Sequence, residues 1–190
     1  MRKARNIGLI VLAIVGLLAF AVAMTRAHVG LHAPHSTRIS AAMLEPALSA
    51  AVEVKLAESR LRTVEQAMQF SLRQTGTALR FGLGHPTRLT FGVLEREANC
   101  IEYAHFFARV FDMAAQKNKL PAKAYVVHST RADVFDMVVP LPGMRDHDWV
   151  LIADNTPGEK RHWLVDPTFD DVWLGWDLSK NVDGDVTTIP

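Results

Sequence analysis

Apolar and polar positions follow different periods in different parts of this chain. Residues 7–24 carry no charge, and 16 of these 18 are apolar, the other two being glycine. At 1.5 Å rise per residue a helix of that length just crosses a hydrocarbon core of ~30 Å. Met1 to Arg5 ahead of it is short and basic. Two readings stay open. The segment is an uncleaved anchor with its basic end inside, or a secretory signal cut at the small-x-small sites Ala19-Phe20-Ala21 or Ala21-Val22-Ala23. Both place residues 27–190 outside the cytoplasm, membrane-anchored through 7–24 or secreted, and periplasmic in a bacterium.

Residues 28–40 (HVGLHAPHSTRIS) lose any period and read as a tether. The chain therefore divides into an anchor or signal over 1–26, a linker over 27–40, one domain over 41–180 and a polar, acidic tail over 181–190. Residues 40–75 are rich in helix formers. Pro46 belongs in a first turn, so a helix is expected to start near Glu45. Leu48, Val52, Leu56, Leu61, Val64, Met68 and Leu72 form one face at about 3.6 spacing, with a slip near Ser59. This is one long helix or two short ones. Residues 78–93 hold three glycines and Pro86 and read as short extended pieces joined by turns.

Residues 99–116 give the clearest helix. Cys100, Tyr103, Ala104, Phe107, Val110, Phe111 and Ala114 share one face. Glu102, His105, Arg109, Asp112 and Gln116 fall on the other. Asn99 is a suitable N-cap, and Leu120-Pro121 cannot continue the helix. Residues 124–128 (AYVVH) read as a strand and 130–145 as irregular. Residues 147–153 (HDWVLIA) and 161–166 (RHWLVD) are strands around a turn-rich segment, together an antiparallel hairpin.

Composition sharpens this outline. The full chain has 21 basic and 20 acidic residues. Removing the four basic residues of 1–26 leaves 17 against 20, a slightly acidic body. Nucleic-acid binding needs a clustered basic face and is excluded as a partner class. Hydrophobic residues at 49% exclude intrinsic disorder for the body. One cysteine excludes an intramolecular disulfide and a multi-cysteine metal site.

That cysteine opens a helix, where unpaired N–H groups and the positive end of the macrodipole favour a thiolate and can hold an oxyanion. A thiolate nucleophile needs a base, and the base an orienting group. The hairpin supplies both. Symmetric pairing about the turn makes residue numbers across the ladder sum to about 313 or 314, which sets Asp166 opposite His147 or Asp148. The three side chains are expected to meet in a solvent-reachable pocket. His105, His128 and His162 are alternative bases, but the hairpin pairs none of them with a carboxylate.

These segments together resemble the transglutaminase-like superfamily of papain-type cysteine enzymes. The motifs are NCIEYAHFFARVF (99–111), KLPAKAYVV (119–127), DHDWVLI (146–152) and HWLVDPTFD (162–170), and the resemblance covers roughly residues 60–175. It implies an α+β fold with a papain/transglutaminase-like core, the cysteine at a helix N-terminus packed against an antiparallel sheet carrying histidine and aspartate. It implies Cys100 as nucleophile, His147 as general base and acid, and Asp166 as orienting carboxylate. The chemistry implied is attack on a peptide or protein amide through a thioester, with hydrolysis favoured over transamidation and no cofactor. The alternative is a non-catalytic, membrane-tethered binding or accessory module on the same fold.

The chain departs from its relatives in places. Asn99 stands where many have Gly or Asp, and Ile101-Glu102 stands where the adhesin-cleaving branch has an acidic pair. No tryptophan precedes Cys100, which leaves Gln66, Gln69 or Gln74 as side-chain oxyanion donors. No metal set is assigned. His28, His32 and His35 lack a carboxylate at ligand spacing, and Asp170, Asp171, Asp183 and Asp185 lack EF-hand spacing. Trp149 and Trp163 are expected in the core, with Trp173 and Trp176 beside the cleft.

Overall fold

The computed structural model describes residues 14–24, 29–32, 37–135, 137–138, 146–158, 161–172, 174–178 and 182–183. Helix α1 (14–24) exposes every side chain up to Ala23, including Leu17, Leu18 and Phe20. Among the described residues no helix is long and apolar enough to cross a membrane. The apolar run begins at Ile7, so its first seven residues lie outside the described ones.

Strand β1 (Val29–His32) occupies sequence that composition marked as tether. Its alternation spans only four residues, with Val29 and Leu31 buried between the less buried Gly30 and His32. That is too short to register as a period among the surrounding polar residues. Strand β2 (Thr37–Arg38) also falls in that stretch. Beyond β3 (Met43–Leu44), Pro46 opens α2 (Pro46–Ser59). Arg60 takes a left-handed conformation (φ 42°) and ends it. Thr63 then caps α3 (Val64–Ala78), its hydroxyl accepting from the Gln66 N–H at 3.2 Å. The slip near Ser59 is thus a break between two helices. All seven residues of the expected stripe are buried in one core.

The extended pieces that follow are β4 (Leu79–Phe81), β5 (Thr90–Phe91) and β6 (Arg96–Ala98), in two parallel ladders, β3–β5 and β4–β6. Helix α4 (Cys100–Lys117) follows. Its expected apolar face is buried, but so are Glu102 and His105 from the face expected to be polar. The reason is position: α4 packs on α2, α3 and the central sheet, and its first turns also carry the 85–98 segment.

Strand β7 (Ala122–Ser129) leads to β8 (Arg131–Val134) and β9 (Met137–Val138), an antiparallel hairpin in sequence read as irregular. Its turn uses Phe135 at φ 52°, without the Gly or Asn that signals such a turn. Strand β10 (His147–Asp154), β11 (Arg161–Val165), the short α5 (Pro167–Asp171) and β12 (Val182–Asp183) complete the described elements.

The central sheet runs β11-β10-β7-β2 and is antiparallel throughout. All eight residues of β10 are buried. Alternate side chains serve two cores. Val150 and Ile152 pack with Ala124 and Val126 toward α4. Trp149 and Leu151 pack with Val127 toward Leu31, Ala132, Phe169 and Leu178. A second sheet, β12-β1-β8-β9, supplies Leu31 and Ala132. The fold is α+β, with helices on one face of an antiparallel sheet and a second sheet on the other.

Candidate functional site

The N-terminus of α4 is fixed by a reciprocal cap. The Asn99 side-chain oxygen accepts from the Glu102 N–H at 3.1 Å, and Glu102 Oε2 accepts from the Asn99 N–H at 2.9 Å. Cys100 is therefore the first helical residue. Its N–H and that of Ile101 have no carbonyl behind them within the helix. Glu102 is fully buried and holds more than the cap. Its Oε1 accepts from the Arg88 N–H at 3.0 Å and from Arg96 at 2.5 Å. Arg96 also lies over the Phe91 ring, 4.6 Å from its centroid. The guanidinium offsets a carboxylate that would otherwise oppose a thiolate two residues away.

His147 opens β10. Its Nε2 lies 2.5 Å from Asp166 Oδ2, and both side chains are buried. The ring stacks on Phe169, with centroids 5.3 Å apart. Burial pushes this imidazole down, but the charge and hydrogen bond of Asp166 outweigh it, and Cys100 adds to the upward pull. The result is a pKa raised to about 10. With Nε2 committed to Asp166, Nδ1 is the nitrogen left for chemistry.

Asp166 uses its other oxygen as an N-cap. Oδ1 accepts from the N–H groups of Thr168 and Phe169 at 2.9 and 3.0 Å, starting α5. The ladder register differs from symmetric pairing. Val150 faces Val165, so paired numbers sum to 315 rather than 313 or 314. Asp166 is then diagonal to His147 instead of opposite it. Diagonal neighbours two residues offset still share a face, and the bond forms.

Cys100, His147 and Asp166 are thus together, but the sulfur is not in the open. Cys100 is 6% exposed. Its Sγ–H donates to the Asp146 carbonyl at 3.6 Å, next to His147 in the chain. A carbonyl is a partner for a thiol, not for a thiolate. Reaching the ionised form requires the sulfur to turn from that oxygen toward the imidazole.

A second buried polar group lies one ladder away, and sequence reasoning missed it. The β7–β10 register pairs His128 with Asp148. His128 Nδ1 is 2.9 Å from Asp148 Oδ1 and 3.1 Å from Asp146 Oδ1. Arg38 from β2 forms an ion pair with Asp148 on its other oxygen. His105 Nδ1 accepts from the Ala41 N–H at 2.9 Å, while its Nε2 lies 3.9 Å from Asp148 Oδ2. Burial first, and Arg38 next, push the His105 imidazole down against the pull of Asp148. His128 therefore does have carboxylate partners, across the β7 ladder rather than the hairpin. The signal was the alternation Asp146-His147-Asp148, which sends the carboxylates to a different set of neighbours from His147. His162 is exposed. Cys100 acts on the His147 imidazole.

Other sequence candidates have structural roles. Asp171 accepts from the Tyr103 hydroxyl at 2.7 Å and the Phe81 N–H at 3.3 Å, locking α5 against α4 and β4. Burial, then Asp171, push the Tyr103 phenol up. Asp170 is half-buried and raised by burial, then by Asp171 and Asp166. Asp185 and the side chain of Asp183 lie outside the described residues. Gln66 Oε1 accepts from the Arg62 N–H and Gln74 Oε1 from Lys55, both contacts on the exposed helix surface. Trp149 is buried, donating to Ser129 at 2.7 Å. Trp163 and Trp176 are half-buried side by side, 6.4 Å between centroids. Trp173, His28 and His35 lie outside the described residues. His32 joins Asp133 at 2.6 Å, from β1 to β8.

No family model matches the chain, and neither a curated protein nor a solved structure matches it.

Proposed function

We propose that the chain is a cysteine-dependent enzyme acting on peptide or protein amides, with a papain/transglutaminase-like core tethered outside the cytoplasm by residues 7–24. The observation that carries this reading is the His147 imidazole, clamped to Asp166 at 2.5 Å on one side and acted on by Cys100 on the other. A hydrogen-bonded carboxylate fixes the tautomer and orientation of a base, and a cysteine at a helix start has its anion favoured by the backbone. The exposed apolar surface of α1 supports the tether.

The reactive state is a thiolate–imidazolium pair. The thiolate attacks the amide carbonyl carbon, and the N–H groups of Cys100 and Ile101 are donors for the oxyanion. The imidazolium gives its proton to the leaving nitrogen, the C–N bond breaks and a thioester remains. Water then attacks with His147 taking its proton, the C–S bond breaks, and acid and thiolate are released. Hydrolysis is favoured over transfer to an amine. Asn99 is spent on the helix cap and on Thr87, and in this scheme the backbone N–H groups carry the oxyanion.

A second reading has its own support. The buried sulfur, bonded to a carbonyl, suits a binding or accessory module in which the thiol is inert. Iodoacetamide labelling of the full chain across pH separates the two. The enzyme reading expects Cys100 to alkylate well below pH 8, with the low-pH rate lost on His147→Ala. It also expects Cys100→Ala to remove amide cleavage from a peptide library without altering the fold. A Cys100 that resists alkylation, or one that follows a free-thiol titration, sinks the enzyme and leaves the module.

A further inference from the structure

We propose that His128 Nδ1, Asp146 Oδ1 and Asp148 Oδ1 form a binding site for a divalent transition-metal cation of the zinc type. One ligand atom from each residue lies within 4.8 Å of the others. The nitrogen is 2.9 Å from Asp148 Oδ1 and 3.1 Å from Asp146 Oδ1. Cis ligands on a cation with bonds of ~2.1 Å sit roughly 3.0–3.5 Å apart. The two nitrogen–oxygen edges therefore already have about the spacing of cis ligands, and the two oxygens lie within 4.8 Å of each other.

The electrostatics point the same way. Two carboxylate oxygens converge on one imidazole nitrogen. Something positive must lie between them, a proton on Nδ1 or a metal ion. One N–H can be well aligned with only one of the two oxygens, and the other, on the exposed Asp146, is left to solvent or to a cation. A cation in the middle satisfies all three. The nitrogen donor selects against Ca²⁺ and Mg²⁺, which prefer oxygen cages, and for the zinc-like ions that accept mixed nitrogen and oxygen sets.

The surroundings are built as an outer shell. Asp148 is fully buried, and Arg38 takes its Oδ2, which turns Oδ1 toward His128. His105 stands 3.9 Å behind that same Oδ2. On the other side the site is open: the Asp146 side chain is 62% exposed and that of His128 31%. Solvent can complete the coordination there. The Arg38 charge offsets one carboxylate, which limits affinity and leaves the ion exchangeable. The site does not depend on the enzyme reading. Its nearest link to the thiol is through Asp146, whose backbone carbonyl holds the Cys100 Sγ–H while its side chain would hold the metal.

Co²⁺ is the probe, because its visible absorption reports ligand type. The full chain, metal-free, without a histidine tag and kept in detergent for its apolar amino terminus, is titrated with CoCl₂. The expected result is saturation at one equivalent, a spectrum without a sulfur-to-cobalt band, and displacement by Zn²⁺. His128→Ala and Asp146→Asn, both at partly exposed positions, should each weaken binding by about tenfold or more. Cys100→Ala should leave it unchanged. Circular dichroism confirms that each variant is folded, and either one suffices. Absence of saturable Co²⁺ absorption, or binding unaltered in a folded His128→Ala or Asp146→Asn protein, overturns the proposal. A sulfur-to-cobalt band lost in Cys100→Ala overturns it as well, by moving the metal to the thiol.

Discussion

Asp166 divides its two oxygens between the imidazole and the first turn of α5. Asparagine separates those jobs. Its carbonyl oxygen can still accept from Thr168 and Phe169, so Asp166→Asn should keep the fold, with a melting temperature within a few degrees of the parent. Its amide, however, offers N–H to Nε2 and forces the opposite tautomer. Any amide-cleaving activity should drop by roughly 10³–10⁴-fold, read as kcat/KM on one peptide substrate. Titration gives a second test. His147 goes from 6.5 to about 10 on folding, so the folded state holds its proton more tightly. The stabilisation is complete below pH 6.5 and is lost as pH rises toward 10. Melting temperature should therefore fall across that window, and the fall should be shallower in Asp166→Asn. Equal slopes in the two proteins would show that the pair is not coupled.

Glu102 shows where pattern reading stops at the level of the helix. The 3.6 period in 99–116 located α4, its cap and its apolar face, because burial of a stripe is a one-body property of the sequence. It could not tell that Glu102 on the remaining face is also covered, since that depends on Arg88 from a loop and Arg96 from the three-residue β6, neither with a period of its own. Removing this buried acceptor leaves Arg96, the Arg88 N–H and the Asn99 N–H without their partner. Glu102→Ala should cost about 3 kcal/mol in urea unfolding. Hydrogen exchange should quicken first over residues 85–99. The β8–β9 hairpin was hidden for a related reason. Its turn residue, Phe135, adopts a conformation that its side chain disfavours, so tertiary pairing with β1 decides the structure there. The meeting of Cys100, His147 and Asp166 was legible because Cys100 and the hairpin have strong local signals. The Asp148 network was not, since Arg38, His105 and His128 come from three separate elements.

At the level of the molecule, β10 divides the interior into two cores, and the second one is closed by β1. Leu31 is fully buried there. Leu31→Ala should destabilise the protein by about 3 kcal/mol, whereas the same change in a solvated tether would stay within about 0.5 kcal/mol. A denaturation midpoint distinguishes them. That burial also sets a reach. Only residues 25–28 separate the end of α1 from Val29, the first residue of the closing strand. Five links of chain span at most about 18 Å when fully stretched. The globular part therefore works on a very short leash. If α1 is seated in a membrane, as proposed, a target of Cys100 must come to within a few nanometres of that surface, because the body cannot travel out to it.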